Sequence, residues 1–279
     1  MDIHLTTLRQ RMAEPSAKRN GFLLPRTSRI HLLLAPTFGV FLLLCWELFA
    51  RSGLYADFIV PAPSTVAARW WEIASDGSLL RHTAVTLREV MTGLIIGVAA
   101  AFWLGYLIAK SRIVAYTLTP YLVALQAVPI VAIAPLLIIW FGAGIASKVI
   151  ICALLVFFPM LVNTIIGVRS IPPELRDLMR SLEATPLQTF WYLELPAALP
   201  VMIGGLKVSA TLSVIGAVVG EFVSASAGLG YLINFGRGTY DTPLVIAAVL
   251  TLTVLALTLY GLASWLDRLW LGWQQIGQK

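Results

Sequence analysis

Charge is what this sequence has least of. Of its 279 residues only 12% are Asp, Glu, Lys or Arg, 58% are hydrophobic, and the mean hydropathy is +0.84. A soluble domain carries about 25% charged residues, so an ordinary soluble enzyme is excluded. Disorder is excluded as well, since a disordered chain needs low hydrophobicity and high charge. Cysteine is scarce: Cys45 and Cys152 each sit inside a long apolar run, which leaves no disulfide framework. The three histidines, His4, His31 and His82, lie too far apart in the chain to read as a His/Cys metal site. No Gly-x4-Gly-Lys-Ser/Thr loop occurs, so no nucleotide site of that kind is expected in the chain itself. A nucleic-acid partner would call for a basic face on a soluble module, and none is visible. What remains is a multi-span integral membrane protein.

Apolar length is what the chain has in abundance. A spanning helix needs about 20 mostly apolar residues to cross a hydrocarbon core of about 30 Å. Six stretches meet this, at about 31–50, 83–109, 118–140, 147–168, 200–223 and 244–267. They are far longer than barrel strands and do not alternate apolar with polar, so helix is the expected form. The first starts too far in, is full length and lacks a small-x-small cleavage site, so it is not expected to be a signal peptide. The tail before it holds Arg9, Arg11, Lys18, Arg19, Arg26 and Arg29, which places it in the cytoplasm by the positive-inside rule. Six spans then return the C-terminus to the same side. Lys110–Arg112 and the segment with Arg169, Arg176 and Arg180 fall inside, and the poorly basic 142–147 and 225–243 fall outside. Arg51, Arg69 and Arg81 run against the rule, in the longest outer loop. There Ser64 is a plausible N-cap for a helix with Val66, Trp70 and Ile73 on one face.

Residues 169–200 form the one long cytoplasmic loop. Pro172-Pro173-Glu174 opens a helix, and Leu175, Leu178, Met179 and Leu182 repeat at i, i+3, i+4, i+7 on one face. Thr185-Pro186-Leu187-Gln188 reads as a second start, with a capping box and a stop expected at Pro196. Such a pair of helices can lie on the lipid surface or dock into a protein. Its polar face mixes Glu174, Arg176, Asp177 and Arg180 rather than being strongly basic, which favours a protein groove over lipid.

This stretch, Asp177-Leu-Met-x3-Glu183-Ala184-x8-Leu193-x-Leu195-Pro196, resembles the permease loop of bacterial ABC importers. The family pattern is Glu-Ala-Ala, three residues, Gly, nine residues, Ile, one residue, Leu-Pro. Two departures stand out. Asp177-Leu178-Met179 replaces Glu-Ala-Ala, and Glu183 stands at the glycine, where a left-handed corner costs a side chain roughly 1 kcal/mol or more. The resemblance extends from about Pro61 to Asp267. It takes in Gln126-Ala-Val-Pro129 through Pro135, like the family's proline-broken span, and Gly220-Glu221-Phe222 with Gly228-Leu229-Gly230-Tyr231, like its outer turn.

The resemblance implies an all-α polytopic protein with six transmembrane helices, like a type I ABC importer permease, in a bacterial cytoplasmic membrane. A tail at 1–30, a first span and outer loop at 31–60, a core at 61–270 and a C-terminal tail at 271–279 are expected. The loop residues Asp177, Leu178, Met179, Leu182, Glu183, Ala184, Leu195 and Pro196 would dock a cytoplasmic ATP-binding subunit. An extracytoplasmic solute-binding protein and a second copy of the chain are the other implied partners, with lipid around them. The chain itself would have no catalytic residue and no cofactor. The match is best with the branch importing nitrate, sulfonates, taurine, thiamine-precursor pyrimidines and riboflavin, and within it with vitamin permeases. An ion-coupled secondary carrier is the alternative class. It needs membrane carboxylates as proton relays, and Glu221 alone supplies them poorly.

Polar groups at lipid depth are costly and point to function or to interhelical hydrogen bonds. Gln126, Asn163, Ser213 and Glu221 are the candidates for a solute path, and both readings stand for each. Glu47 and Lys207 are expected to reach water at span ends, and Arg237 and Asp241 to be solvated in the outer turn.

Overall fold

The structure is a computed structural model that describes residues 29–271. Residues 1–28 and 272–279, most of the two expected tails, lie outside the described residues. In chain order the helices are α1 (Arg29–Arg51), α2 (Pro63–Ser75), α3 (Ser78–Lys110), α4 (Arg112–Ala127), α5 (Ile130–Phe141), α6 (Ile145–Arg169), α7 (Pro173–Ser181), α8 (Pro186–Ser224), α9 (Leu229–Gly238) and α10 (Thr242–Leu271). Among the described residues, no strand occurs. Four helices, α3, α6, α8 and α10, are long and apolar enough to cross a membrane, and the bent pair α4–α5 makes a fifth if it counts as one span. At 23 residues α1 also has spanning length.

The centre of the fold is α6, flanked by α3 and α8, with α10 against α8. The α3–α6 contact is a seam of small residues. A methyl at Gly93 would stand 2.3 Å from Cys152 Cβ, at Gly97 2.7 Å from the Ala153 carbonyl oxygen, and at Gly105 2.9 Å from Thr164 Cβ. With Ala101 between them, these residues recur every fourth position and bring two backbones close enough for dense van der Waals contact, which drives helix association where no hydrophobic gain is available. One apolar core joins α2 and α9 to this frame through Val66, Ile73, Val214, Leu229, Leu232 and Leu244. A second, nearer α7, gathers Ala101, Ile108, Met160, Leu161, Ala198 and Met202.

Three local expectations are corrected. The expected span 118–140 is two helices at 96° rather than one kinked helix. Val128 (φ −76°, ψ 120°) and Pro129 (φ −69°, ψ 109°) are both extended. A residue before proline is pushed out of the helical region, so two successive residues leave the helix and the chain turns. The helix expected to stop at Pro196 instead runs on into the next span. Phe190–Glu194 forms a π turn, with Leu195 N–H donating to the Phe190 carbonyl, and this wider turn accommodates the proline at the head of the following segment. In α2 the N-cap is Ala62, with Pro63 at the first helical position. The Ser64 hydroxyl and N–H both donate to Glu47 instead, at 2.8 and 3.0 Å, tying α1 to α2.

Candidate functional site

Two polar constellations stand out, at opposite ends of the frame. The first is the corner after α7. The helix begins at Pro173 and ends at Ser181. Glu183 then adopts φ +53°, the left-handed corner that the glycine position calls for. The Glu183 N–H donates to the Arg180 carbonyl (2.9 Å) and the Ala184 N–H to the Met179 carbonyl (3.0 Å). That pair of bonds is the Schellman motif, which satisfies the last carbonyls of a helix and reverses the chain. Thr185 then opens α8 with a complete capping box to Gln188. Arg176 Nη2 donates to the Val168 carbonyl at 2.7 Å and ties α7 to the end of α6.

Of the residues expected to dock a partner here, Leu178 is 53% and Leu182 67% exposed. Asp177 is exposed and pairs with Arg180 on its own helix (3.0 Å). Met179 is half-buried, and Leu195 and Pro196 are half-buried in the continuous α8. Just beneath the corner Glu194 is buried, accepting from Tyr106 Oη and Lys110 Nζ, each at 2.6 Å. That pair fixes the π turn to the end of α3.

The second constellation joins α3, α6, α8 and the start of α9. Glu221 is 1% exposed. Its Oε1 accepts from the Thr86 hydroxyl at 2.6 Å, and its Oε2 from the Gly230 N–H. The Leu229 N–H donates to Thr86 Oγ1 (2.8 Å) and the Gly228 N–H to His82 Nδ1 (2.9 Å). The first N–H groups of a helix have no partner within it. Here three of them, at the head of α9, are satisfied by side chains of two other helices, with a carboxylate at the positive end of the helix dipole. Glu89 and Lys148, both buried, form an ion pair at 3.1 Å beside it. Among the described residues Glu89 Oε2 has no hydrogen-bond partner. Two carboxyls and one ammonium thus share a buried site, and the geometry makes it a latch that holds α9 on the frame.

The four residues expected along a path lie on α4, α6 and α8. Gln126 is exposed in the last turn of α4, beside the 96° break. Asn163 is half-buried, and its Nδ2 donates to the Pro159 carbonyl of its own helix (2.8 Å). Ser213 is buried and donates to the Ala210 carbonyl of its own helix (2.7 Å). Glu221 belongs to the latch. Lys207 and Asp241, expected to reach water, stay partly exposed and also pair, with Asp267 at 2.6 Å and Arg69 at 2.8 Å.

Thr86, Glu89, Lys148 and Glu194 were missed by the sequence reading. A signal for Glu89 was present, since a carboxylate inside an apolar run of spanning length is a functional candidate by default. Among the described residues no His, Cys, Asp or Glu grouping could hold a metal ion.

Residues 93–271 match the family described as binding-protein-dependent transport system inner membrane component. The riboflavin transport system permease protein RibX of Chloroflexus aurantiacus is 43% identical over 239 residues, covering 86% of this chain and 89% of that protein. The formylaminopyrimidine transport permease protein ThiX of Halalkalibacterium halodurans is 33% identical over 248 residues, covering 88% and 98%. The taurine transport system permease protein TauC of Escherichia coli is 29% identical over 223 residues, covering 78% and 81%. Among solved structures, an inward-facing form of the MetNI methionine ABC transporter aligns with a TM-score of 0.58 at 20% identity, over 71% of this chain and 98% of that one. This last likeness bears on the fold alone.

Proposed function

The chain belongs to the binding-protein-dependent transport system inner membrane component family, and on that premise we propose that it is the permease subunit of an ATP-driven importer for a small solute. The observation that carries this is α7 and its corner. The short helix is pinned to α6 by Arg176, turned by a strained Glu183, and leaves Leu178 and Leu182 bare. A cytoplasmic ATP-binding subunit is the partner that this face would fit. A solute-binding protein would deliver cargo on the outer side, near α2 and α9.

The continuity of α8 supplies a mechanism. From Pro186 to Ser224 it has 39 residues, about 58 Å of rod at 1.5 Å per residue. Its inner end carries the docking corner, and its outer end carries Glu221 and the latch on α9. Movement of the partner at the corner would therefore tilt the element that holds the outer helix. A second copy of the chain would complete the wall of the path. The face it would meet is α4–α5, since α4 buries no residue within its own chain and leaves Tyr116, Tyr121 and Leu125 bare. Gln126 at the break is then the residue best placed to touch solute, with Asn163, Ser213 and Glu221 shaping the helices behind it. The identities to RibX and ThiX support riboflavin or a thiamine-precursor pyrimidine as cargo. Sulfonate or taurine remains the second choice, supported by TauC.

The test is Leu182→Asp. Burying a leucine in a partner's groove contributes about 1.5–3 kcal/mol, and an unpaired charge in its place costs several more. At 1.4 kcal/mol per tenfold, the ATPase should be lost on purification while the permease stays abundant in the membrane. Undiminished co-purification would return α7 to the lipid surface.

A further inference from the structure

A cavity of about 1060 Å³ opens where α3 ends, α4 begins, α6 ends and α7 crosses. It is lined by Ala109, Arg112, Ala115, Tyr116, Thr119, Pro120, Arg169 and Arg176. Three of these eight are arginines and none is Asp or Glu. Each guanidinium has five N–H donors. Arg169 uses Nη2 on the Ile108 carbonyl (3.1 Å), and Arg176 uses Nη2 on the Val168 carbonyl (2.7 Å). Arg176 Nε is buried with no hydrogen-bond partner among the described residues, and Arg112 is exposed at the mouth, with its donors open to solvent. Of the acids on the adjoining elements, Glu194 is taken by Tyr106 and Lys110 and Asp177 by Arg180, while Glu174, also on α7, is exposed and does not line the cavity. Positive charge and unused donors thus converge on one space.

We propose that this cavity binds a phosphate-bearing anion, either the headgroup of an acidic phospholipid or a soluble phosphate compound. Arginine forks match phosphate oxygens two at a time. Basic pockets between spanning helices on the cytoplasmic side suit acidic headgroups, so the site rests on the reading that α7 faces the cytoplasm. Arg112 belongs to α4, Arg169 to α6 and Arg176 to α7. An anion held by all three cross-links the docking helix to two elements of the core, and its occupancy stiffens the joint through which the partner acts.

The test uses the complete importer purified into nanodiscs, with the thermal midpoint of the permease as readout. Discs of phosphatidylcholine are compared with discs containing phosphatidylglycerol, and inorganic phosphate is titrated into the first. The wild type gains stability in one arm or the other, which identifies lipid or soluble anion as the source. Arg112→Gln weakens that response about tenfold, the loss of one charge-assisted contact. Arg112→Lys, which keeps charge but loses the fork, weakens it less and serves if the first variant assembles poorly. An equal response in Arg112→Gln, no response in either arm, or an equal gain from sodium chloride at matched ionic strength overturns the proposal. Loss of the ATPase from Arg112→Gln without any anion response assigns the cavity to the protein interface and also overturns it. Co-purification of the ATPase with wild type is scored on the same samples, so failure of the docking reading is seen separately.

Discussion

The latch at the head of α9 predicts that Gly228 tolerates no side chain. Its φ of +121° and ψ of 165° lie in a region essentially restricted to glycine. An alanine methyl would stand 2.2 Å from Glu221 Oε1. Either the backbone at 228 moves or the Glu221 carboxylate does, and both routes break bonds. Backbone strain of this kind costs about 1–3 kcal/mol. Each hydrogen bond to a charged group contributes about 1.5–3 kcal/mol, and the bonds at risk are those from Thr86 and from the Gly230 N–H. A loss of about 4 kcal/mol or more follows, from a total stability of about 5–15 kcal/mol. The assay is the thermal midpoint of the purified permease, with Gly204→Ala as control, since a methyl there meets nothing within 4 Å. The expected fall is on the order of 10 °C for Gly228→Ala, against little change for the control. A Gly228→Ala protein that melts with the wild type would refute the latch.

Lys148→Met should remove the ammonium paired with Glu89 and leave two buried carboxyls together, at a cost of about 3–5 kcal/mol. Low abundance in the membrane and a lowered melting point are expected, and normal abundance would count against the ion pair. Glu183→Gly should relieve the left-handed corner by up to about 1 kcal/mol and keep ATPase co-purification. Glu183→Val, a β-branched residue at positive φ, should lose it, and equal behaviour of the two variants would show that the corner is not needed.

The helices were legible because apolar runs of spanning length admit one solution in lipid. The α7 face and the Thr185 capping box were legible because both are local. The corner at Glu183 could be read only as a departure from a pattern, and its φ of +53° resolves it. Proline misled in both directions. At Pro129 the preceding Val128 left the helix too, so a kink became a break, whereas at Pro196 a π turn absorbed the ring and no stop occurred. The latch lay beyond sequence reading because His82 and Thr86 meet Gly228 and Leu229 across more than 140 positions, and no periodicity links them. The small-residue seam through Gly93, Gly97, Ala101 and Gly105 was regular enough to be found and was overlooked.

Solute movement driven by a docked ATPase is the function proposed for this chain. Its most direct test is uptake into proteoliposomes holding the permease, the ATP-binding subunit and the solute-binding protein, with radiolabelled riboflavin and with a thiamine-precursor pyrimidine. The expected result is uptake that requires ATP and the binding protein, persists with a proton ionophore, and is lost with Leu182→Asp. Uptake that proceeds without ATP and collapses with the ionophore would contradict it and make the chain an ion-coupled carrier.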